Sequence, residues 1–190
     1  LHATLDRLVQ RAGKGTGARV SYHVPDRFTE GYGLSAMAVD RAADDGVALL
    51  VTADIGVREH ANVARARQRG LDVIVVDHHV AKESRVTCTL VNPRVNDAED
   101  APWQTLCTAG LVFKLVHGIL KVLRLAGDER GTSIVVKDYL DLAALGTIAD
   151  LVPLRSENRI LAAHGLKALG EARRQGLRAL IAVSGMEPGG

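Results

Sequence analysis

The chain has 190 residues, of which 47% are hydrophobic and 24% charged, and its formal net charge is +2 at pH 7. This balance is typical of a globular α/β protein and excludes both an intrinsically disordered chain and a strongly basic nucleic-acid coat. No apolar run approaches the ~20 residues that a membrane-spanning helix needs, and no signal-peptide pattern opens the chain. We therefore expect no membrane association.

Strand and helix patterns alternate through the first half of the chain. Helical periodicity predicts helices over 2–12, from the N-cap Ser35 to about Asp44, and over 57–69 before Gly70. Continuous or alternating apolar runs predict strands over 18–24, 47–54, 71–77 and 88–93. The runs at 47–54 and 71–77 are typical of parallel strands that are buried on both faces.

From residue 105 onward the pattern is helical. Predicted helices span 105–127, 136–150, 157–172 (with Ser156 as N-cap) and 176–185. Alternating strands and helices followed by helices predict an α/β fold, with an open, mostly parallel sheet flanked by helices and a helical C-terminal part. There is no internal repeat and no strong linker, so we expect one domain over residues 1–190.

Two successive predicted strands end in aspartates, Asp54 and Asp77, and two histidines, His78 and His79, follow the second. If the strands are neighbours, the carboxylates lie about 5 Å apart at the sheet edge where α/β proteins place ligands. Adjacent carboxylates repel each other and so need a cation or a shared proton. Carboxylate oxygens with neutral imidazole suit Mn²⁺, Mg²⁺ or Zn²⁺, and the scarcity of cysteine favours the harder ions. Asp150 is a third candidate carboxylate.

Each of these residues has a plainer interpretation when it is taken alone. A strand-terminal aspartate often caps a helix, and a pair of histidines is often surface decoration. Taken together, the spacing supports a metal-assisted phosphoester or amide hydrolase, or a binding site.

Several segments in order along the chain resemble a known family. VDHH (76–79), VTADIG (51–56) and ALGTIADLVPL (144–154) resemble motifs of the DHH phosphoesterases. Within that superfamily, the segments 22–35, 106–120 and 156–169 are similar to the RecJ family of single-stranded-DNA-specific 5′→3′ exonucleases. Thr108 stands where that family is expected to have glycine.

The resemblance implies phosphodiester hydrolysis by two ions, Mn²⁺ or Mg²⁺, in DNA repair and recombination. It implies that Asp54 bridges both ions and that His78 and Asp150 ligate one of them. It further implies that His79 orients the scissile phosphate or a ligand, while Asp77 holds the histidine through a hydrogen bond.

The segment PDRFTEGYG (25–33) is the candidate nucleic-acid-binding loop. Arg27 offers a cation for phosphate, while Phe28 and Tyr32 offer rings for base stacking. An ordinary loop with a buried phenylalanine is an equal alternative. Arg58, Arg65 and Arg69 share a helical face that is either a track for a phosphate backbone or a solvated surface.

The sequence departs from the family in one respect. The family's first motif contains Asp-x-Asp, and this chain has none. We therefore expect a piece of a DHH domain that begins after the first motif and lacks the family's C-terminal domain and its OB-like domain. Such a fragment is expected to be inactive by itself.

The implied partner is single-stranded DNA, and a single-stranded-DNA-binding protein or a helicase is the expected protein partner. The two cysteines, Cys88 and Cys107, lack Cys-x-x-Cys spacing and indicate reduced, buried thiols of a cytoplasmic protein. Two alternatives stay open. One is a DHH phosphoesterase acting on short oligonucleotides, cyclic dinucleotides or pyrophosphate, and the other is a non-catalytic nucleic-acid-binding module.

Overall fold

A parallel sheet of three strands organises the first half of the chain. The structure is a computed structural model and describes residues 19–81, 86–96 and 99–185. The strand order is β1 (Leu49–Ala53), β2 (Asp72–Val76), β3 (Thr89–Val91), and both pairings are parallel. The predicted α/β architecture is therefore confirmed, with β1 and β2 as direct neighbours.

One helix precedes the sheet, one connects β1 to β2 and a short one follows β3. They are α1 (Ala36–Asp44), α2 (His60–Gln68) and the short α3 (Pro93–Asn96). The side chain of Ser35 accepts a hydrogen bond from the backbone N–H of Ala38 at 3.1 Å, which confirms the predicted N-cap of α1. Helix α2 begins three residues later than predicted because the chain forms a tight loop after β1 first.

The core of this region lies between the helices and one face of the sheet. Val39 of α1 and Val63 of α2 are fully buried and pack in one cluster with Val75 of β2. Strand β1, in contrast, exposes about half of Leu49 and Val51 on the other face (49% and 52%), so the prediction that it is buried on both faces is wrong. Leu49 and Val51 alternate with the half-buried Leu50 and the buried Thr52, so β1 is packed on one face only.

The second half of the described chain is helical, as predicted. It contains α4 (Thr108–Leu125), two short 3₁₀ helices (Glu129–Thr132 and Val136–Tyr139), α5 (Leu140–Ala149), α6 (Ser156–Gly170) and α7 (Gln175–Val183). Helices α5 and α6 pack along each other. None of the described helices is long and apolar enough to cross a membrane.

The described residues cluster in two compact units. The first spans 23–112 and contains the sheet, and the second comprises 113–185 together with 19–22. In the second unit, Arg174 bonds the buried carboxylate of Asp141 at 2.7 Å and lies over the ring of Tyr139. This pairing supplies the counter-charge that a buried carboxylate requires.

Some predicted elements differ in the structure. Residues 19–24 form no strand, because no described strand lies beside them to pair with, and Val20 and Val24 are exposed. Ser156 is the first residue of α6 and not its cap. Cys107 is buried as expected, whereas Cys88 is only partly buried. The predicted helix over 2–12 lies outside the described residues.

Candidate metal centre

The carboxyl edge of the sheet brings Asp54 and Asp77 side by side. Ala53 of β1 lies opposite Val76 of β2, so the next residue of each strand is one of the two aspartates. The backbone N–H of Asp54 still donates to the carbonyl of Val76 at 3.0 Å, and that of Asp77 donates to Val91 of β3 at 3.1 Å. The ladder therefore continues through both aspartates and fixes their positions.

Asp54 occupies a backbone conformation that favours glycine. Its φ angle is +68°, a left-handed value that aspartate tolerates better than most residues do. The turn directs the carboxylate outward, where 57% of the side chain is exposed and Oδ1 lies 3.4 Å from Nε2 of the buried His78. An exposed carboxylate beside an imidazole is a suitable pair of ligands for a divalent cation.

The loop after Asp54 is held tightly against the sheet. Gly56 has φ +118°, and a Cβ atom there would lie 2.6 Å from Oγ1 of Thr52 and 2.9 Å from a methyl group of Val75. The Thr52 hydroxyl donates to the carbonyl of Ile55 at 2.8 Å. Only glycine fits this position, because both the conformation and the space exclude a side chain.

Asp77 is buried and accepts hydrogen bonds from the surrounding loops. Its carboxylate accepts from the backbone N–H groups of Val57 (3.1 Å), His78 (2.8 Å) and His79 (3.1 Å), and it bonds Nδ1 of the His79 ring at 2.6 Å. Burial acts to raise the pKa of Asp77, but the hydrogen bonds from His79 and Val57 outweigh it and lower that pKa. Asp77 is therefore an ionised carboxylate that orients the rings and is itself shielded from solvent.

The orientation of His79 follows from this carboxylate. Because Asp77 is ionised and can only accept, Nδ1 of His79 donates this hydrogen bond, which leaves the lone pair of Nε2 available to a cation. The side chain is 35% exposed, and its ring centroid lies 4.6 Å from that of His78. The histidine that Asp77 holds is thus His79.

Asp54, His78 and His79 form a group that could hold a metal ion. Each offers one ligand atom, and these atoms all lie within 4.8 Å of one another. One carboxylate and two imidazoles are a donor set that Mn²⁺ accepts. Asp150, the other predicted ligand, belongs to the second unit, where it ends α5 with its backbone N–H bonded to the Gly146 carbonyl at 3.0 Å.

Two residues at this edge were not among the predicted site residues. Asn92 follows β3 and is 1% exposed, and its side-chain amide donates to the carbonyl of His79 at 2.9 Å. The carboxylate of Glu59 accepts from the backbone N–H groups of Gly56 (2.8 Å) and Arg58 (3.2 Å). The signal for Asn92 was available in the sequence, because it lies near the end of the third predicted strand (88–93), much as Asp54 and Asp77 end theirs.

The candidate nucleic-acid-binding loop presents its three predicted residues to solvent. Phe28 is 97% exposed and Tyr32 is 70% exposed, so the alternative of a buried phenylalanine does not hold. The guanidinium of the exposed Arg27 lies 5.6 Å from the centroid of the Tyr32 ring, within the range of a cation–π contact. Exposed aromatic rings next to a cation are suited to single-stranded nucleic acid.

Glu30 organises this loop from within. Its carboxylate bonds the ring of His23 at 2.8 Å, the backbone N–H of Asp26 at 3.2 Å and the hydroxyl of Ser35 at 3.4 Å. The hydrogen bond from Asp26, followed by that from His23, lowers the pKa of Glu30. The exposed rings therefore stand on a turn with defined internal hydrogen bonds.

The same loop is attached to the loop that follows β1. A Cβ atom on Gly33 would lie 2.3 Å from Oε1 of Glu59, so the two chain segments touch there. The side chain of Asn62 on α2 donates to the carbonyl of Leu34 at 2.6 Å. Glu59 thus contacts both the candidate nucleic-acid-binding loop and the loop that carries Asp54.

The three arginines that sequence periodicity placed on one helical face separate into two groups. Arg65 and Arg69 form ion pairs with Asp40 of α1, and Arg69 also bonds Asp44. These two arginines therefore belong to a charge network on the surface of α1 and α2. Arg58 precedes α2 and has different partners.

Comparison with known proteins identifies relatives of this chain. The profile of the DHH family, N-terminal domain, matches residues 2–147. The single-stranded-DNA-specific exonuclease RecJ of Salmonella typhimurium is 41% identical over 174 residues, which cover 89% of this chain and 30% of that protein. RecJ of Bacillus subtilis is 39% identical and is matched over 90% of this chain and 20% of its own length.

Comparison with solved structures also finds RecJ exonucleases. A crystal structure of exonuclease RecJ bound to manganese superposes with a TM-score of 0.73 at 31% identity, covering 93% of this chain and 42% of that one. RecJ from Thermus thermophilus in complex with Mn²⁺ gives a TM-score of 0.69 at 28% identity, covering 95% of this chain and 24% of that one. The chain therefore spans less than half of each protein to which it is similar.

Proposed function

The chain belongs to the DHH family, and on that premise we propose that it takes part in the single-stranded-DNA-specific exonuclease activity for which its relatives are named, and that digestion runs 5′→3′. The observation that carries the proposal is the grouping of Asp54, His78 and His79 at the carboxyl edge of the parallel sheet. The donor set suits the manganese of the related structures, and the edge is the one at which such sheets place ligands.

Asp54 and His78 would hold a divalent ion, Mn²⁺ or Mg²⁺, with Asp150 as a further ligand in a two-metal arrangement. When bound, the ions would supply activation of the attacking water and stabilisation of the negative charge that develops at phosphorus. Of the chain's own residues, Asp77 keeps the proton of His79 on Nδ1. The ring of His79, held in this way, would orient the scissile phosphate.

The loop at 25–33 would hold the strand being degraded. Phe28 and Tyr32 offer exposed faces on which unpaired bases stack, and Arg27 offers a cation for phosphate. Stacking needs bases that are free of a complementary strand, which accords with a single-stranded substrate. We further propose that the protein acts in DNA repair and recombination in the cytoplasm, together with a single-stranded-DNA-binding protein or a helicase.

The test is a nuclease assay with a 5′-phosphorylated single-stranded oligonucleotide. Because the sequence contains no Asp-x-Asp, the 190-residue chain is expected to bind Mn²⁺ weakly and to degrade this substrate negligibly. An extended chain that carries the family's Asp-x-Asp motif ahead of residue 1 is expected to release nucleotides from the 5′ end in the presence of Mn²⁺, and Asp54→Ala is expected to abolish this release. Activity that survives Asp54→Ala, or an inert extended chain, would contradict the proposal.

A second candidate function is a non-catalytic nucleic-acid-binding module. The exposed rings of Phe28 and Tyr32 beside Arg27 favour it, because base stacking and a phosphate contact need no metal ion. The same assay separates the two functions: binding without Mn²⁺-dependent cleavage in the extended chain supports the module.

A further inference from the structure

Arg58 lies at the same sheet edge as the candidate metal centre. It stands in the loop between β1 and α2, four residues after Asp54, and its side chain is exposed. The neighbouring backbone N–H of Val57 donates to the Asp77 carboxylate at 3.1 Å. This bond fixes the start of the loop against the residues that follow β2.

The side chain of Arg58 bridges the two loops. Its Nε atom donates to the carbonyl of Val80 at 3.2 Å, and Val80 is the residue directly after His79. One bond through Nε leaves the terminal nitrogens of the planar guanidinium for another acceptor. The arginine is thus held beside His79 with donors to spare.

The charge of Arg58 is not neutralised within the described part of the chain. Arg65 and Arg69 of the adjacent helix each pair with a carboxylate, whereas no described carboxylate forms an ion pair with Arg58. An exposed, tethered and unneutralised guanidinium suits a phosphate oxygen, because guanidinium nitrogens match its geometry and charge.

We propose that Arg58 contacts a backbone phosphate of single-stranded DNA next to the phosphate at the metal centre. The inference rests on the proposed function and adds a residue that binds substrate without binding metal. Arg58 therefore contributes to the affinity for single-stranded DNA and to its salt dependence, and not to the affinity for Mn²⁺.

The test measures binding of a 5′-phosphorylated, 3′-fluorescent oligothymidylate to the 190-residue chain by fluorescence anisotropy at several salt concentrations. Arg58→Ala is expected to weaken binding about 3- to 10-fold at low salt, the range of one exposed charge-assisted contact. It is also expected to reduce the slope of log K against log salt by about 0.7, the value for one phosphate contact on a single strand. Arg58→Lys keeps the slope but recovers only part of the affinity, because an ammonium cannot bridge to Val80 and phosphate as a guanidinium does.

Arg41→Ala is the matched control, because it removes the same charge from an exposed position near the end of α1 that leads into the start of β1. It should leave affinity and slope unchanged, and Mn²⁺ binding should be the same in all variants. Equal effects of Arg58→Ala and Arg41→Ala, or loss of Mn²⁺ binding in Arg58→Ala, would overturn the inference while leaving the proposed function intact. If the unsubstituted chain binds no oligonucleotide, the result counts against both the inference and the proposed function. If the salt slope depends on Arg58 but the extended chain shows no nuclease activity, the result supports the inference about Arg58 and counts only against the proposed hydrolysis.

Discussion

At the scale of single residues, the site depends on backbone positions that few side chains can occupy. Asp54 has a left-handed φ angle, and Gly56 two residues later has one that only glycine adopts readily. Both lie between β1 and α2, where the chain turns to present the Asp54 carboxylate. Local strain of this kind is characteristic of functional loops that are held by their surroundings.

We expect Gly56→Ala to lower the free energy of unfolding by about 2–4 kcal/mol, since it combines a strained φ with overpacking against Thr52 and Val75. Urea unfolding followed by circular dichroism measures this. Gly70→Ala is the control, because Gly70 has φ +87° but no atom within 4 Å of an added Cβ, so only the backbone cost of about 1 kcal/mol applies. Equal destabilisation by the two substitutions would show that the packing around Gly56 is unimportant.

Asp77 and His78 should differ in how strongly they affect catalysis. In the extended chain, Asp77→Ala is expected to reduce the Mn²⁺-dependent nuclease rate about 10- to 100-fold, because Asp77 acts through His79. His78→Ala should reduce the rate by more than about 100-fold, since it removes a ligand itself. The rates are compared at matched concentrations of folded protein. A larger loss from Asp77→Ala would mean that the two roles are reversed.

At the scale of elements, loop and helix contacts place the binding residues beside the sheet edge. Glu59 contacts Gly33 of the candidate nucleic-acid-binding loop and the backbone of the loop after β1. Helix α2 bonds the carbonyl of Leu34 through Asn62. The aromatic rings of the loop therefore belong to the same unit as the metal centre.

We expect Phe28→Ala to weaken the binding of single-stranded DNA about 5- to 100-fold, which is the effect of losing one stacked base. Because Phe28 is 97% exposed, the substitution should not change the melting temperature. Val24→Ala, at another exposed apolar position in the same unit, is the control and should bind like the unsubstituted chain. Unchanged binding in Phe28→Ala would remove this ring from the interface.

The ion pairs between α1 and α2 predict a pH dependence of stability. The hydrogen bond from Arg65 lowers the pKa of Asp40, so the folded state favours the ionised carboxylate. The resulting stabilisation is fully present above the ordinary carboxyl pKa and is lost as the pH falls through the lowered one. Asp40→Asn should therefore be less stable than the unsubstituted chain at pH 7, and this difference should shrink in acid.

Urea midpoints at neutral and acid pH test this, with Asp72→Asn as a control for removing an exposed carboxylate. A difference between Asp40→Asn and the unsubstituted chain that stays constant over the whole pH range would show that the Asp40 carboxylate does not act through its charge.

The sequence predicted the strands that carry the site better than the loops between them. Continuous apolar runs located β1 and β2, and the rule that parallel strands share a carboxyl edge brought Asp54 and Asp77 together. The position of Asn92 near the end of a third strand could have been recognised in the same way, but the contacts of Glu59 could not, because they depend on where a loop folds back in space. The exposed face of β1 was missed because an apolar run does not show whether both faces of a strand are covered by other elements.

At the scale of the whole molecule, the chain combines a sheet unit that carries the candidate metal centre with a helical unit that carries Asp150. The family profile matches residues 2–147, which include the candidate metal centre but not Asp150. The central claim is therefore that Asp54 and His78, which lie in one group with His79, bind the divalent ion on which hydrolysis depends.

Titration of Mn²⁺ into the extended chain that carries the Asp-x-Asp motif, followed by the electron paramagnetic resonance signal of the free ion, tests this claim most directly. The unsubstituted chain is expected to remove Mn²⁺ from solution. Asp54→Ala and His78→Ala are each expected to weaken this binding by more than about 100-fold, which is more than the loss of a residue that only hydrogen-bonds a metal ligand causes. Asp72→Ala, at the opposite end of β2, should bind Mn²⁺ like the unsubstituted chain. Binding that is the same in Asp54→Ala, His78→Ala and Asp72→Ala would contradict the account.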